Sequence, residues 1–493
     1  MNTNATLPNI LFILSDDHGA WALGCAGNRE IETPNLDRLA ASGMRFTNFF
    51  CTSPVCSPAR ASLLTGKIPS QHGVHDWLAA GNTTAQYEPD RNGQLIEYLA
   101  GQVGYTELLA QAGYACGLSG KWHLGDSHHA QKGFEFWEVH AKGGGPYYNA
   151  PMIKEGAVVE EAGYVTDIIT ENTLAWLEQR KADERPFYLG VHYTAPHSPW
   201  GRDQHPASLY DRYHNECAFA SVPDGLTPPA WVRHLSIPVE STETRRAHLA
   251  GYYAAVTAMD QNIGRLLDWL EANGQRENTL VIFTSDNGMN MGHHGVYGKG
   301  NATFPLNMFE ESVKVPFIAA QPGQIPAGAL NRDLLSQYDF MPTLLEYVGI
   351  DHDSAEGLPG RSFVPILRGA KVKRAAEQVV VYDEYGPVRM IRTAEWKYVH
   401  RYAFGPNELY HLADDAGEAR NLAGQPEWAN VENDMRQRLG DWFARYVEPV
   451  NDGAKFVITG SGQIGLCSEE SKNNPSFLRS RVEHLLNNSA SGE

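Results

Sequence analysis

Cys51-Thr-Ser-Pro-Val-Cys56-Ser-Pro-Ala-Arg60-Ala-Ser-Leu-Leu-Thr-Gly66 is the stretch of this chain richest in chemistry. Ser57 is a good helix cap and Pro58 suits a first turn, so Cys56 is expected just before a helix N-terminus. Unpaired backbone N–H groups and the positive end of the helix dipole favour an anion there, and Arg60, one turn in, adds a planar donor fork for a tetrahedral oxyanion. Asp16 and Asp17 follow one apolar run and Asp286 and Asn287 follow another. These are hard oxygen donors suited to Ca²⁺ or Mg²⁺. Turn and capping duties are common for Asp and Asn, but two such pairs at two strand ends favour a metal. Lys121, His123, His197 and Lys299 also follow apolar runs or glycine-rich turns.

The elements that must position these residues share one grammar. Ile10 to Leu14, Tyr114 to Ser119, Phe187 to Tyr193 and Leu280 to Thr284 are apolar, and each runs into a polar cluster, with helical patterns between them. That pattern reads as a mainly parallel sheet flanked by helices, an α/β fold in which a ligand sits outside the carboxyl ends of the strands. Thr33 to Gly43 reads as a short helix, with Thr33 as cap and Pro34 at its first position. A longer helix is expected from about His248 to Asn273, with Val256, Met259, Ile263, Leu266, Leu267 and Leu270 on its buried face. From about Pro199 to Glu243 no period is sustained, so a long ordered loop is expected. After about residue 370 short alternating runs (Gln378 to Tyr385, Val388 to Thr393, Lys397 to Tyr402, Glu408 to Leu412) precede a helix from about Glu427 to Tyr446. The reading is a catalytic domain over 1–370 and a smaller C-terminal α+β domain with an antiparallel sheet over 371–493, ending in a loose tail around Asn487 to Glu493.

The chain has 493 residues with 40 Lys+Arg against 58 Asp+Glu, a formal charge of −18. This balance excludes nucleic acid or an anionic lipid surface as the main partner. No apolar run approaches the roughly 20 residues needed to span a bilayer, so no membrane partner is expected. Met1 to Pro8 lacks the parts of a secretory signal, and if the chain is complete the expectation is a cytoplasmic protein. Six cysteines are too sparse for a disulfide framework.

Cys56-Ser-Pro-Ala-Arg60 followed by Leu64-Thr-Gly66 resembles the signature of the type I, formylglycine-dependent sulfatases of the alkaline-phosphatase-like superfamily. The resemblance extends through Pro8-Asn-Ile with Asp16-Asp17, Thr33-Pro-Asn-Leu-Asp37, Gly120-Lys-Trp-His-Leu-Gly125 and Ser285-Asp-Asn-Gly288 to the C-terminal unit. It implies that Cys56 is matured to formylglycine by a separate formylglycine-generating enzyme. It also implies that Asp16, Asp17, Asp286 and Asn287, with residue 56, hold one divalent ion, usually calcium, with magnesium the second candidate. One hydroxyl of the hydrated aldehyde would attack the sulfur of a sulfate monoester while Arg60, Lys121, Lys299 and the metal stabilise the sulfuryl oxygens. His197 and Lys299 would protonate the departing alcohol, and His123 would take the proton of the other hydroxyl as sulfate leaves. Such division of labour suits a reaction whose uncatalysed rate is very low. Ala59 departs from the serine frequent at this point of the motif, while Cys-x-Pro-x-Arg is intact.

The implied activity is that of a sulfuric ester hydrolase acting on a sulfated carbohydrate or another sulfated small molecule; a homo-oligomer is compatible with it. Trp77, Tyr147, Tyr148, Trp200 and Trp231 are candidates for aromatic pocket walls, and His75 and Asp76 for substrate contacts. A phosphonate or phosphate monoester hydrolase of the same type would share the constellation, and a superfamily transferase would need an acceptor alcohol. A non-catalytic sulfoglycan-binding protein would bind without turnover. His18, His72, His75, His128, His129, His293 and His294 invite a two-zinc phosphatase instead, since zinc favours imidazole.

Overall fold

The computed structural model describes residues 7–87, 93–351, 357–372, 377–384, 386–402, 405–456, 458, 460–468 and 476–477. The expected tail at Asn487 to Glu493, and Tyr385 at the end of one expected strand, lie outside them. The strands of the first part are β1 (Asn9–Ser15), β2 (Met44–Phe50), β3 (Ala115–Lys121), β4 (Phe136–His140), β5 (Tyr148–Lys154), β6 (Ala157–Tyr164) and β7 (Phe187–His192). They continue with β8 (His234–Leu235), β9 (Thr279–Ser285), β10 (Asn290–Met291), β11 (Tyr297–Gly298), β12 (Thr303–Phe304), β13 (Lys314–Ala320), β14 (Ala329–Asn331) and β15 (Leu335–Ser336).

The large sheet has the order β14-β2-β13-β9-β1-β7-β3-β4-β5-β6, with β15 beside β2. Its centre, β9-β1-β7-β3-β4, is parallel, and the antiparallel pairings of β13, β5 and β6 flank that centre. Strand β1 explains why the centre is parallel. Ile10, Phe12 and Leu14 enter the core on one face, Leu11 and Ile13 the core on the other, and all five are buried. A strand apolar on both faces needs cover on both faces, which crossover helices supply. The helix Thr242–Ala272 puts Met259, Ile263, Leu266, Leu267 and Leu270 against one face, and Phe340–Val348 puts Phe340 and Leu344 against the other. Truncating a buried ring such as Phe12 to Ala would cost about 3–5 kcal/mol.

Two expectations are corrected. The long helix starts six residues earlier than its apolar period indicates, because Ser241 caps it by accepting from Thr244 N–H at 3.1 Å. The stretch 199–243 is not a continuous loop. It contains the helix Ala207–Glu216, which buries only Tyr210 and Tyr213, one turn apart, a spacing too short to stand out as a period.

The C-terminal unit is the four-stranded antiparallel sheet β16 (Gln378–Asp383), β17 (Val388–Thr393), β18 (Trp396–Arg401) and β19 (Glu408–His411), covered by the helix Ala429–Tyr446. It packs against the first part next to the helix Cys56–Thr65. Tyr382 N–H donates to Thr52 O at 3.0 Å, and Tyr382 OH accepts from Ser70 N–H at 2.8 Å. No helix among the described residues is long and apolar enough to cross a membrane.

Candidate active site

Register builds the site. Ser15 of β1 pairs with Ser285 of β9, so the next residues, Asp16-Asp17 and Asp286-Asn287, emerge side by side. Gly120 of β3 pairs with His192 of β7, which brings Lys121 level with the start of the loop carrying His197. Asp17 and His123 both take positive φ, 62° and 54°. Such residues cost on the order of 1 kcal/mol or more each and persist where surrounding structure holds them.

Cys56 is the first residue of the helix Cys56–Thr65, with Val55 at the N-cap. The helix therefore begins two residues earlier than expected, and Ser57 does not cap it. Its hydroxyl accepts from Leu78 N–H at 3.2 Å. Four residues on, Arg60 lies on the same helix face as Cys56. Its Nε donates to Asp286 Oδ2 at 2.9 Å and its Nη1 to Lys121 O at 3.0 Å. Lys121 Nζ lies 2.5 Å from Asp16 Oδ2, and Lys299 Nζ lies 2.6 Å from Asp17 Oδ1 and 3.5 Å from Cys56 Sγ. Asn287 Nδ2 donates to Asp17 Oδ1 at 2.8 Å. His197 Nε2 lies 3.6 Å from Asp17 Oδ2, while its Nδ1 donates to Ser198 O at 2.6 Å. A carbonyl only accepts, so Nδ1 carries the proton and Nε2 faces the site.

The electrostatics follow from three buried carboxylates interleaved with three buried cations. Burial raises Asp16 and Asp17, but Lys121 and His197 around the first and Lys299 and His197 around the second outweigh it and hold both below the usual range. Burial and then repulsion from Asp16 push Asp286 up despite Arg60. Burial also pushes the Cys56 thiol up, more than Lys121 and Lys299 pull it down, so the unmodified thiol stays protonated and is a weak nucleophile. His123 is held well below the ordinary imidazole value by burial and by Lys121 and Arg60. Its Nε2 lies 3.3 Å from Leu78 O, which leaves Nδ1 as a free buried acceptor.

The residues present fit a hard divalent cation. One donor atom each from Asp16, Cys56 and Asp286 lies within 4.8 Å of the others, and the same holds for Asp16, Asp17 and His197. Asp16 Oδ1 and Asn287 Oδ1 are buried without a hydrogen-bond partner, as acceptors kept for a cation would be. Of the seven other histidines, none joins these two groups. His18 bonds Ala22 O, His72 meets Ser62 Oγ, His75 meets Asn451 O, His129 pairs with Asp126, and His294 pairs with Glu311. The carboxylate and amide oxygens of Asp16, Asp17, Asp286 and Asn287 dominate the donor set here.

All ten positions singled out from the sequence thus converge: Asp16, Asp17, Cys56, Arg60, Lys121, His123, His197, Asp286, Asn287 and Lys299. A cavity of about 530 Å³ opens above them, lined by Cys56, His123, His197 and Lys299 together with Trp77, Asn82, Tyr87, Lys142 and Asn301. Of the expected aromatic walls only Trp77 lines it. Tyr147 is buried and donates from its OH to His197 O at 2.7 Å, Tyr148 packs on Tyr164, Trp200 lies under His248 and Tyr252, and Trp231 packs on Phe309. His75 and Asp76 do not face the cavity. They bind the C-terminal segment, His75 through Gln463 and Asn451, and Asp76 through Gly462 N–H at 2.8 Å.

Sequence reasoning missed three supports. Gln337 donates to Asp286 O at 2.6 Å and accepts from Thr52 N–H at 3.0 Å, tying the acidic turn to the loop before Cys56. Gly143 passes so close to His123 that a β-carbon there would collide with the ring, a signal present in the Gly143-Gly-Gly145 run. Gln463 N–H donates to Trp77 O at 2.8 Å and Gln463 O accepts from Ala79 N–H at 2.9 Å, so a segment nearly four hundred residues away backs the Trp77 wall. No local pattern announces that last pairing.

Residues 8–350 match the family described as Sulfatase, and residues 292–444 match N-sulphoglucosamine sulphohydrolase, C-terminal. An N-acetylglucosamine-6-O-sulfatase of Bacteroides thetaiotaomicron is 29% identical, covering 92% of this chain and 89% of its own. An ulvan-active sulfatase of Formosa agariphila is 30% identical, covering 89% of this chain and 81% of its own. A solved structure described as a complex with its substrate D-glucosamine-2-N,6-O-disulfate superposes with a TM-score of 0.74 at 27% identity, covering 90% of this chain and 98% of that one. The chain belongs to the sulfatase family, within the alkaline-phosphatase-like superfamily, and is a sulfuric ester hydrolase.

Proposed function

We propose that this enzyme removes sulfate from a sulfated saccharide, with residue 56 converted to formylglycine by a separate maturase and with calcium, or failing that magnesium, held by Asp16, Asp17, Asp286 and Asn287. The observation that carries the reading is the head of the helix Cys56–Thr65. There a buried side chain 3.5 Å from Lys299 Nζ faces three carboxylates and opens into a cavity walled by Trp77 and Tyr87. Relatives named for N-acetylglucosamine-6-O-sulfate and ulvan, and a similar structure holding a disulfated glucosamine, support a sugar substrate.

The hydrated aldehyde would supply a hydroxyl nucleophile and the bound cation would withdraw charge from a sulfate oxygen. Everything else falls to the side chains. Arg60, Lys121 and Lys299 bind the sulfuryl oxygens, and their cationic donors gain strength because the pocket floor is buried. His197, with Nδ1–H bonded to Ser198 O and Nε2 turned toward the site, gives a proton to the leaving alcohol from Nε2 when the ring is in its doubly protonated imidazolium form, with Lys299 beside it. His123, kept neutral by burial, accepts a proton at Nδ1. Trp77 and Tyr87 offer flat apolar faces on which a sugar ring can stack.

The test is the mass of the proteolytic peptide carrying Cys56, from protein produced with a formylglycine-generating enzyme, followed by kinetics on sulfated sugars and matched phosphate esters. Formylglycine with preference for the sulfate is the expected result. Unmodified cysteine beside a control sulfatase that is converted, or a preference for phosphate, would overturn it.

A further inference from the structure

One cation of the cavity has no part in the chemistry at its floor. Arg60, Lys121 and Lys299 each face a carboxylate, at 2.9, 2.5 and 2.6 Å. Lys142 lines the same cavity, is half-buried, and makes no ion pair among the described residues. Its place is fixed by the backbone: His140 Nδ1 donates to Lys142 O at 2.9 Å, and the chain then runs through Gly143 and Gly144 against the rings of His123 and His197. The lysine is therefore carried by the segment that packs beside His197, on the side where the leaving alcohol departs. In a chain with a net charge of −18 a polyanion is repelled at long range, so an ammonium beside this cavity with no carboxylate paired to it among the described residues offers an anionic ligand a local attraction.

We propose that Lys142 receives a second anionic group, a sulfate or a carboxylate, borne by the saccharide whose scissile sulfate lies over residue 56. This rests on the sulfated-saccharide reading above and adds to it the class of sugar: one that carries a second negative charge near the ester that is cut. An ammonium is a compact point charge with rotatable donors, so it accepts either anion, whereas a guanidinium would impose a fork. A charge-assisted bond in a half-buried cavity contributes more than an ion pair at an open rim.

The experiment compares the matured enzyme on four esters: an aryl sulfate, a monosaccharide with the scissile sulfate alone, the same sugar with an added sulfate, and the same sugar with an added carboxylate. The second charge is expected to raise kcat/KM about tenfold, mostly through KM, and Lys142→Ala to remove about that factor from the doubly charged sugars relative to the singly charged one. Lys142→Arg should retain part of it, and added salt should shrink it in the wild type. Preference for only one of the two doubly charged sugars identifies the anion. Equal kcat/KM on all three sugars, or a charge preference that survives Lys142→Ala, overturns the proposal. Failure to turn over any ester, the aryl sulfate included, would instead overturn the reading of the site. Equilibrium binding of the same sugars to Cys56→Ser and to Cys56→Ser/Lys142→Ala then still decides the role of Lys142.

Discussion

Two clusters of buried charge sit in this molecule, and only one of them is built for chemistry. At the strand ends Asp16, Asp17 and Asp286 alternate with Arg60, Lys121 and Lys299. Between the two sheets Glu310, at the start of the helix Glu310–Val313, meets Lys314 at 2.9 Å, Lys397 at 3.4 Å and Arg392 at 3.7 Å, and Lys397 also meets Glu418 at 2.6 Å. Both clusters are desolvated and both shift the protonation of their members. His294, Glu311 and Glu418 even bring three metal-ligating atoms within 4.8 Å, as the strand-end cluster does. There the Lys397 ammonium already stands beside Glu418 as the counter-cation.

The difference lies in which side chains accompany the charges. The strand-end cluster keeps acceptors without partners, Asp16 Oδ1 and Asn287 Oδ1, includes a side chain at a helix head, and opens into a cavity. The inter-sheet cluster also borders a cavity, lined by Glu310, Glu311, Lys314 and Arg392, and leaves Glu418 Oε1 and Arg392 Nε without a hydrogen bond, but among the described residues it has no thiol at a helix head to act as nucleophile, and it clamps β17 and β18 to the first part of the chain. Buried charge beside a cavity is thus no mark of function by itself; what sets the strand-end cluster apart is the Cys56 side chain at a helix head among carboxylate and amide oxygens.

Cys56→Ala separates the two kinds of cluster most sharply. It should lower kcat/KM by roughly 10⁴ or more while leaving the thermal midpoint almost unmoved, because the side chain makes chemistry rather than packing. A large fall in the midpoint would break the contrast. Lys397→Met should do the opposite. Removing one member of a buried pair strands Glu418, at a cost of about 3–5 kcal/mol in a denaturant titration, with turnover per folded molecule nearly unchanged. Loss of turnover without loss of stability would show that the clamp serves the site.

A third test uses Glu384, whose carboxyl is pushed up to about 7 by burial, with Arg389 opposing. The folded state then holds a proton between about pH 4.5 and 7 that the unfolded chain has released, so stability falls as pH rises through that window. The fall should amount to about 1–3 kcal/mol, and Glu384→Gln should flatten it. A pH-stability curve with no slope in the window that differs between wild type and variant would remove Glu384 from the ledger of buried charges. The smallest effect is expected at Gln463. Gln463→Ala removes the side-chain bonds to His75 N–H and Gly73 O that hold the segment behind Trp77, and KM on a saccharide should rise several-fold with kcat little changed. A matching loss on a small aryl sulfate would show that the segment supports the floor rather than the wall.

The candidate site was readable residue by residue because its parts sit in short motifs, each at the end of an apolar run. Strand ends are where open α/β sheets present ligands, and Cys56 and Arg60 are one helical turn apart. The walls were less readable. Among the aromatic candidates only Trp77 faces the cavity, since a tryptophan or tyrosine in a sequence carries no sign of which way it points, and Tyr147 and Trp200 are spent on packing. The helix Ala207–Glu216 was missed for a related reason: it buries two tyrosines and leaves the rest to solvent, so its period is too faint to see.

By itself, then, the chain's sequence pointed to the parallel centre of the sheet and the C-terminal antiparallel unit, through local apolar period, and to the candidate reactive and ion-binding side chains, through short motifs that resemble those of a family. The tertiary structure alone decided which groups are neighbours. The pairing of Ser15 with Ser285 sets Asp16-Asp17 and Asp286-Asn287 side by side, Gly143 lets the backbone press against His123, Gln463 backs a wall from the far end, and Lys142 lines the cavity with no ion pair among the described residues. These are contacts across large separations in sequence, set by packing and register, and no local pattern encodes them.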